Sequence, residues 1–439
     1  MKMIIKNYNA LKKSKEREIA LKILEKGITS VLPENVIKNN VKLEGNVLKI
    51  KDQEFNLEDY DNIFVIGGGK ASYKMAEIIN KILKKKISKG FVNSIINKKV
   101  GSMIISKAGH PSPDEKGMKG VQKMLSIKPS INDLIICLIS GGGSAMLPMP
   151  VEEISLEEMK TVNDLLLKAG ANIYEVNTVR KHLSQVKGGN LARILHPATI
   201  VSLIISDVIG DDLSVIASGP TSADKSTFKD AILILENHNL IDKIPKNALQ
   251  YLTSGVEGKA EETVKENDAV LEKVHNFILA NNLTALEAME EEAKKLKLHA
   301  VIEDSGIKGE ARNVGRYVAE KVLETKPNSV MIFGGETTVT VRGKGLGGRN
   351  QELILSVIEK IKDKKVTIAS VGTDGIDFYK AAGAIADGNS YKKSQKLKLK
   401  IQKCLDDNDS YTFFKKMKDQ IITGYTGTNV CDIIVGVKK

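Results

Sequence analysis

Short apolar runs that end in glycine, serine or aspartate recur along this chain, and helical spacing follows several of them. Ile63–Ile66 runs into Gly67-Gly68-Gly69-Lys70, and Met75, Ile78, Ile79 and Ile82 then fall on one helical face. Leu134–Ile139 runs into Ser140-Gly141-Gly142-Gly143-Ser144, and Ile200–Ile205 runs into Ser206-Asp207-Val208-Ile209-Gly210-Asp211-Asp212. Helical segments fill 155–195. Strands alternating with helices predict parallel βαβ units, whose ligands sit beyond the carboxyl ends of the strands. Before this series the spacing predicts a helix over about 14–28, with Gly27 near its end as a stop signal, and a small hairpin over 41–50 around Glu44-Gly45-Asn46.

A polar stretch over 241–267 predicts a domain boundary, giving domains of 1–260 and 268–439. A second βα series follows. It has strands at 277–279, 300–303, 330–333, 366–371 and 432–435, with helices between them. Thr337–Val341 alternates and predicts a further strand; four glycines then crowd into Gly343–Gly348, with Arg349, Asn350 and Gln351 after them. Leu353, Ile354, Val357, Ile358 and Ile361 predict a helix. Glycines at that density uncover backbone N–H groups, and a helix start attracts anions, so the expectation is a phosphate-handling loop. A hairpin of tight turns is the plain alternative. Gly343-x-Gly345-x-x-Gly348 matches a dinucleotide fingerprint formally, but no acidic residue follows at the spacing that motif needs.

The composition is that of a globular protein, 42% hydrophobic and 27% charged. A net charge of +12 raises nucleic acid as a partner, but Trp is absent, aromatics make up 4%, and the lysines are spread over predicted helix faces. The reading is therefore no nucleic acid and a general pull on small anions. Three scattered cysteines, Cys137, Cys404 and Cys431, suggest a reducing compartment and no zinc site. No stretch has the apolar length of a membrane helix and no signal peptide is evident, so the expectation is a cytoplasmic protein without membrane contact.

Lys70 follows three glycines at a strand end and sits where the helix dipole disfavours a cation, which argues for an anion partner. The sequence is not that of a P-loop, and Gly-x-Ser-x-Gly is absent at Ser140–Ser144, so an anion cradle is the better reading there. Asp207 and Asp211 share a strand-end loop and suit Mg²⁺, though helix capping explains either one equally well. Arg349 supplies a fork for phosphate or carboxylate. Arg180 and Lys187 either reach a nucleotide or line a wet face, and His110 reads as structural.

Taken together, 64–72, 140–145, 179–184, 187–189, 206–212, 217–221, 334–337 and 347–352 resemble the class II glycerate kinases (glycerate 2-kinases of the MOFRL type), in order and over about 16–436. The resemblance implies an α/β fold of two domains, an N-terminal Rossmann-like parallel-sheet domain and a smaller C-terminal MOFRL-type domain, with the active-site cleft between them. It implies ATP and Mg²⁺ or another divalent cation, and phosphorylation of D-glycerate at its 2-hydroxyl. Lys70, Asp207, Asp211 and Arg349 would be catalytic; Asp207, Asp211 and Glu336 would hold the metal. Gly68, Gly69, Ser140, Gly141, Gly142, Gly143, Ser144, Lys187, Gly334, Gly335, Glu336, Gly348, Asn350 and Asp374 would bind the nucleotide. The chain departs from the family at Phe378-Tyr379-Lys380, Tyr425 and Cys431. An NAD(P)H-dependent hydroxypyruvate reductase is the alternative enzyme, and oligomeric state, with a homodimer among the options, is left open.

Overall fold

The structure, a computed structural model, describes residues 3–439. The chain divides into two compact α/β units, one of Ile37–Leu279 and one of Met1–Val36 with Ala280–Lys439.

In the first unit a seven-stranded sheet runs in the order Val274–Ala280, Thr199–Ile205, Asp133–Ser140, Asn62–Gly68, Lys89–Ser94, Met103–Lys107, Lys98–Val100. The pairs from Thr199–Ile205 through Met103–Lys107 are parallel; Lys98–Val100 runs antiparallel at the edge. Every residue of Asp133–Ser140 is buried. That is why it reads as an unbroken apolar run, since helices cover both faces of a parallel sheet. Pairing Gly68 with Ile139 and Ser140 with Ile205 makes three neighbouring strands end level. Their tips are the three glycine-, serine- and aspartate-bearing segments. The hairpin forms as expected, with Val41–Glu44 against Val47–Ile50.

The second unit carries a six-stranded sheet in the order His299–Glu310, Ser329–Thr338, Asp432–Lys438, Val366–Gly372, Gly383–Asp387, Gln420–Ile421. Only its first pair is parallel; the other four pairs are antiparallel. The last strand of the chain sits in the middle of the sheet and pairs Asp432 with both Gly335 and Gly372. Two expectations are corrected here. Ser329–Thr338 is one strand that passes through Gly334-Gly335, and no second strand forms over 339–341. Gly335 (φ +149°) makes the continuous strand fit, because a Cβ there would lie 2.2 Å from the Ile307 carbonyl oxygen.

The domain boundary is the other correction. It falls at 279/280 and not within 241–267, and the first 36 residues belong with the C-terminal unit. The helix Lys15–Ser30, capped by the Ser14 hydroxyl on Arg17 N–H, buries Ile19, Ala20, Ile23, Leu24 and Ile28. Gly27 does not end this helix. It lets Met289 and Ile433 approach to within 2.7 and 3.0 Å of where a Cβ would stand. Arg17, on the same helix, bonds Asp387 and Asp419 of that unit.

Candidate functional site

The tips of the parallel strands in the first unit are sewn together by backbone and hydroxyl hydrogen bonds. Lys70 N–H donates to the Gly141 carbonyl (2.9 Å), Ala71 N–H to Ser140 Oγ (3.0 Å), and Gly69 N–H to the Asn93 carbonyl (3.2 Å). Ser94 Oγ donates to the Gly69 carbonyl at 2.7 Å. Gly69 (φ +146°) must lack a side chain, since a Cβ would lie 2.2 Å from Ser140 Oγ. Ser140 thereby serves to hold the lysine loop at the start of the helix Ser72–Leu83, and Gly68 packs on Leu147. Lys70 itself is partly exposed.

Behind the second tip, Gly142 is left-handed (φ +85°), and a Cβ there would meet the His110 ring and Lys70 Cγ at 2.9 and 3.2 Å. Gly143 starts the short helix Gly143–Met146 against Ala217. Ala217, Ser218 and Gly219 are all left-handed, at φ 53°, 62° and 63°. Backbone of that kind costs on the order of 1–3 kcal/mol per non-glycine residue and persists only where its surroundings fix it. Here the fixing is visible: Gly188 N–H donates to the Ser218 carbonyl and Gly189 N–H to that of Gly219. Ser218 Oγ donates to Asn177 Oδ1 (3.0 Å) and accepts from Ser144 Oγ (2.9 Å). Lys187, fully buried, directs Nζ at the Ser144 and Leu147 carbonyls, at 2.9 and 3.0 Å. Burial, with the Arg180 charge added, pulls Lys187 down to about 7. The residues singled out at 140–144, 177, 180, 187 and 217–221 are thus one connected cluster.

At the third tip Asp207 and Asp211 are partly buried and Asp211 is left-handed (φ 56°). Asp212 differs from them. It is exposed, and its carboxylate accepts from Ser214 N–H at 2.9 Å as a turn residue does. Among the described residues no group of three or more His, Cys, Asp or Glu side chains is disposed to hold a metal ion.

In the second unit Arg349 is clamped. Nε and Nη2 donate to the two oxygens of Asp432 (2.6 and 3.0 Å), and Nη1 pairs with Glu336 at 2.8 Å. Burial opposes its charge, but Asp432 and Glu336 more than offset this, and the guanidinium is held well above its ordinary value. Asp432 is buried and paired only because the last strand enters the middle of the sheet, 83 residues on from Arg349. Sequence reasoning missed it; the signal was a carboxylate opening the apolar run Ile433–Val435.

The expectation of an open anion loop at 342–351 is corrected. Arg342 and Gly343 N–H donate to Asn408 Oδ1, Lys344 N–H to Asp407, Gly345 N–H to the Asp407 carbonyl and Leu346 N–H to Asp409. Gly343, Gly345 and Gly347 lack side chains because segment 407–410 lies against them. The helix start is capped as well, since the Asp377 carboxylate accepts N–H of Asn350 (2.8 Å) and Gln351 (3.0 Å) and both side-chain amides. A built-in anion holds the place proposed for a ligand. Gly348 is the close approach that this cap requires, 2.5 Å from Asp377 Oδ1 to a Cβ. Asn350 is buried and bonded to Asp432, and Asp374 accepts from Ile376 N–H in its turn. The departure at Phe378 and Tyr379 packs both rings edge-on against Tyr411, with centroids 5.3 and 6.1 Å apart.

Two family models match the chain: a domain of unknown function, DUF4147, over 19–253, and the MOFRL family over 329–432. A glycerate 2-kinase of Pyrococcus horikoshii is 41% identical over 96% of this chain and 97% of its own. A crystal structure of glycerate kinase from Thermotoga maritima superposes with a TM-score of 0.85 at 36% identity, covering 96% of this chain and 99% of that one. A protein of Agrobacterium vitis named as a putative hydroxypyruvate reductase is 38% identical over 84% of this chain and 85% of its own.

Proposed function

This chain belongs to the glycerate 2-kinase family, and we propose that it transfers the γ-phosphoryl group of ATP to the 2-hydroxyl of D-glycerate, giving 2-phospho-D-glycerate and ADP. The observation that carries the reading is the lysine loop: Lys70 stands at a joint of two parallel strand ends, the loop backbone fixed by Gly141 and Ser140 and the residue itself partly exposed. Phosphoryl transfer asks a protein chiefly for positioning and for charge set against the phosphoryl oxygens. Lys70 neutralises an oxygen of the group in flight. Arg349 binds an oxygen of the phosphoryl group or of the acceptor's carboxylate, in exchange with Glu336.

The donor chemistry of the Asp207–Asp211 loop fits Mg²⁺, which takes one or two carboxylates and completes its shell with substrate phosphates and water. Asp207 and Asp211 are the residues that would hold it. When bound, the ion supplies positive charge to the phosphate oxygens. One of the two aspartates takes the proton of the 2-hydroxyl as the new O–P bond forms and the bond to ADP breaks.

The reductase reading loses its best support, because the fingerprint glycines Gly343 and Gly345 pack on Asp407 and Asp409 and Gly348 packs on Asp377. Among the described residues no helix is long and apolar enough to cross a membrane, which suits an enzyme acting on small soluble acids in the cytoplasm. ADP release from ATP, Mg²⁺ and D-glycerate, run beside NADH oxidation with hydroxypyruvate, tests the proposal. ADP release with unchanged NADH is the expected pattern; NADH consumption without ADP would reverse the assignment.

A further inference from the structure

Arg180 differs from the other arginines of this chain that are not fully exposed. Arg17, Arg193, Arg312 and Arg349 each pair with at least one carboxylate. Arg180, on the helix Ile173–His182, is partly buried and among the described residues donates only to side-chain carbonyls, those of Asn163 and Asn177. Its neighbour Lys181 shows how the same helix treats an ordinary buried cation: Asp224 meets it at 3.0 Å, both side chains buried. Among the described residues neither Arg180 nor Lys187 has a carboxylate within ion-pair distance, and Lys187 feels the charge of Arg180. Burial pulls Arg180 down to about 10.

Two cations gathered in a partly desolvated place without a counter-charge destabilise the fold by themselves. An anion from outside offsets that cost. Two of the five guanidinium N–H donors have partners among the described residues, which leaves a fork for an oxyanion. The position suits one. Asn177 joins Arg180 to Ser218, and Ser218 to Ser144, on the loop whose Gly141 carbonyl holds Lys70 N–H.

We propose that Arg180 is a substrate-binding residue whose guanidinium takes an oxyanion, either the carboxylate of the acceptor acid or a phosphate of the nucleotide. The proposal rests on the phosphotransferase reading and adds to it a residue and a ligand group. Calorimetric titration of the full chain with D-glycerate and, separately, with ADP tests it in the wild type, Arg180→Gln and Arg180→Lys. The glutamine variant is expected to weaken one of the two ligands by about 10- to 100-fold, the range for losing a hydrogen bond to a charged group. Arg180→Lys keeps the charge without the fork and falls between. Weakening confined to D-glycerate assigns the carboxylate, and weakening confined to ADP assigns a phosphate. Wild-type affinity for both ligands in either folded variant overturns the assignment of Arg180 alone. A wild type that binds neither ligand removes the phosphotransferase reading, and this proposal falls with it. Thermal melts accompany the titrations; if the glutamine variant does not fold, Arg180→Lys decides.

Discussion

Arg349 and Arg180 are both partly buried guanidinium groups, and the protein treats them in opposite ways. Arg349 is gripped by Asp432 on one side and Glu336 on the other, so its charge is balanced within the fold. Arg180 rests on two neutral amides and faces a second cation in Lys187. A ligand that reaches Arg349 must share it with carboxylates already present; a ligand that reaches Arg180 supplies a charge that is missing. The contrast teaches that an internally paired arginine speaks first of structure, whereas an unpaired one speaks of a ligand.

Asp432→Asn would break the comparison most severely. The Arg349 charge would keep only Glu336, which is half-exposed, and stability should fall by about 3–5 kcal/mol in denaturant titration, as for other buried pairs that lose one partner. A loss under about 1 kcal/mol would mean that the pair contributes little. Lys70→Ala and Arg349→Ala should each lower kcat at least ~100-fold, about 2.7 kcal/mol of transition-state stabilisation, with the fold retained by circular dichroism. Near-normal turnover in either variant would remove that residue from the reaction.

Lys187 sharpens the other side of the comparison. Its folded pKa is lowered to about 7 while an unfolded lysine holds its proton to about 10.5, so over that window the unfolded chain binds more protons. Stability from this residue therefore rises as pH climbs from about 7 towards 10.5. Lys187→Met should flatten that part of the stability profile and cost about 1–3 kcal/mol through the stranded Ser144 and Leu147 carbonyls. An unchanged slope would show that Lys187 is not the titrating group. Glu336→Gln should have the smallest effect on stability, below about 1 kcal/mol, because half of that side chain is exposed.

What the sequence made legible was local. Strand, glycine turn and helix follow one another within the 22 residues of 62–83, so the Lys70 loop and the three strand tips were readable from spacing alone. The resemblance to a known family covered the rest of the chain, and the family matches agree with it. What escaped was distant pairing. The glycines of 343–348 read as open because nothing local shows that Asp407, Asn408 and Asp409 occupy their N–H groups, although that run of Asx residues was itself a cluster of acceptors seeking donors. Asp377 as the cap on Asn350 and Gln351 escaped for the same reason. The docking of the first 36 residues on the C-terminal unit depends on Gly27 meeting Met289 and Ile433, a fit of shape that no periodicity carries.

Phosphorus NMR of the product from ATP, Mg²⁺ and D-glycerate tests the central claim most directly. The account predicts a single new monoester resonance, coupled to the proton on C2, that coincides with added 2-phospho-D-glycerate as ADP accumulates. A resonance coupled to the C3 protons, or ATP left intact after prolonged incubation with folded protein, would contradict it.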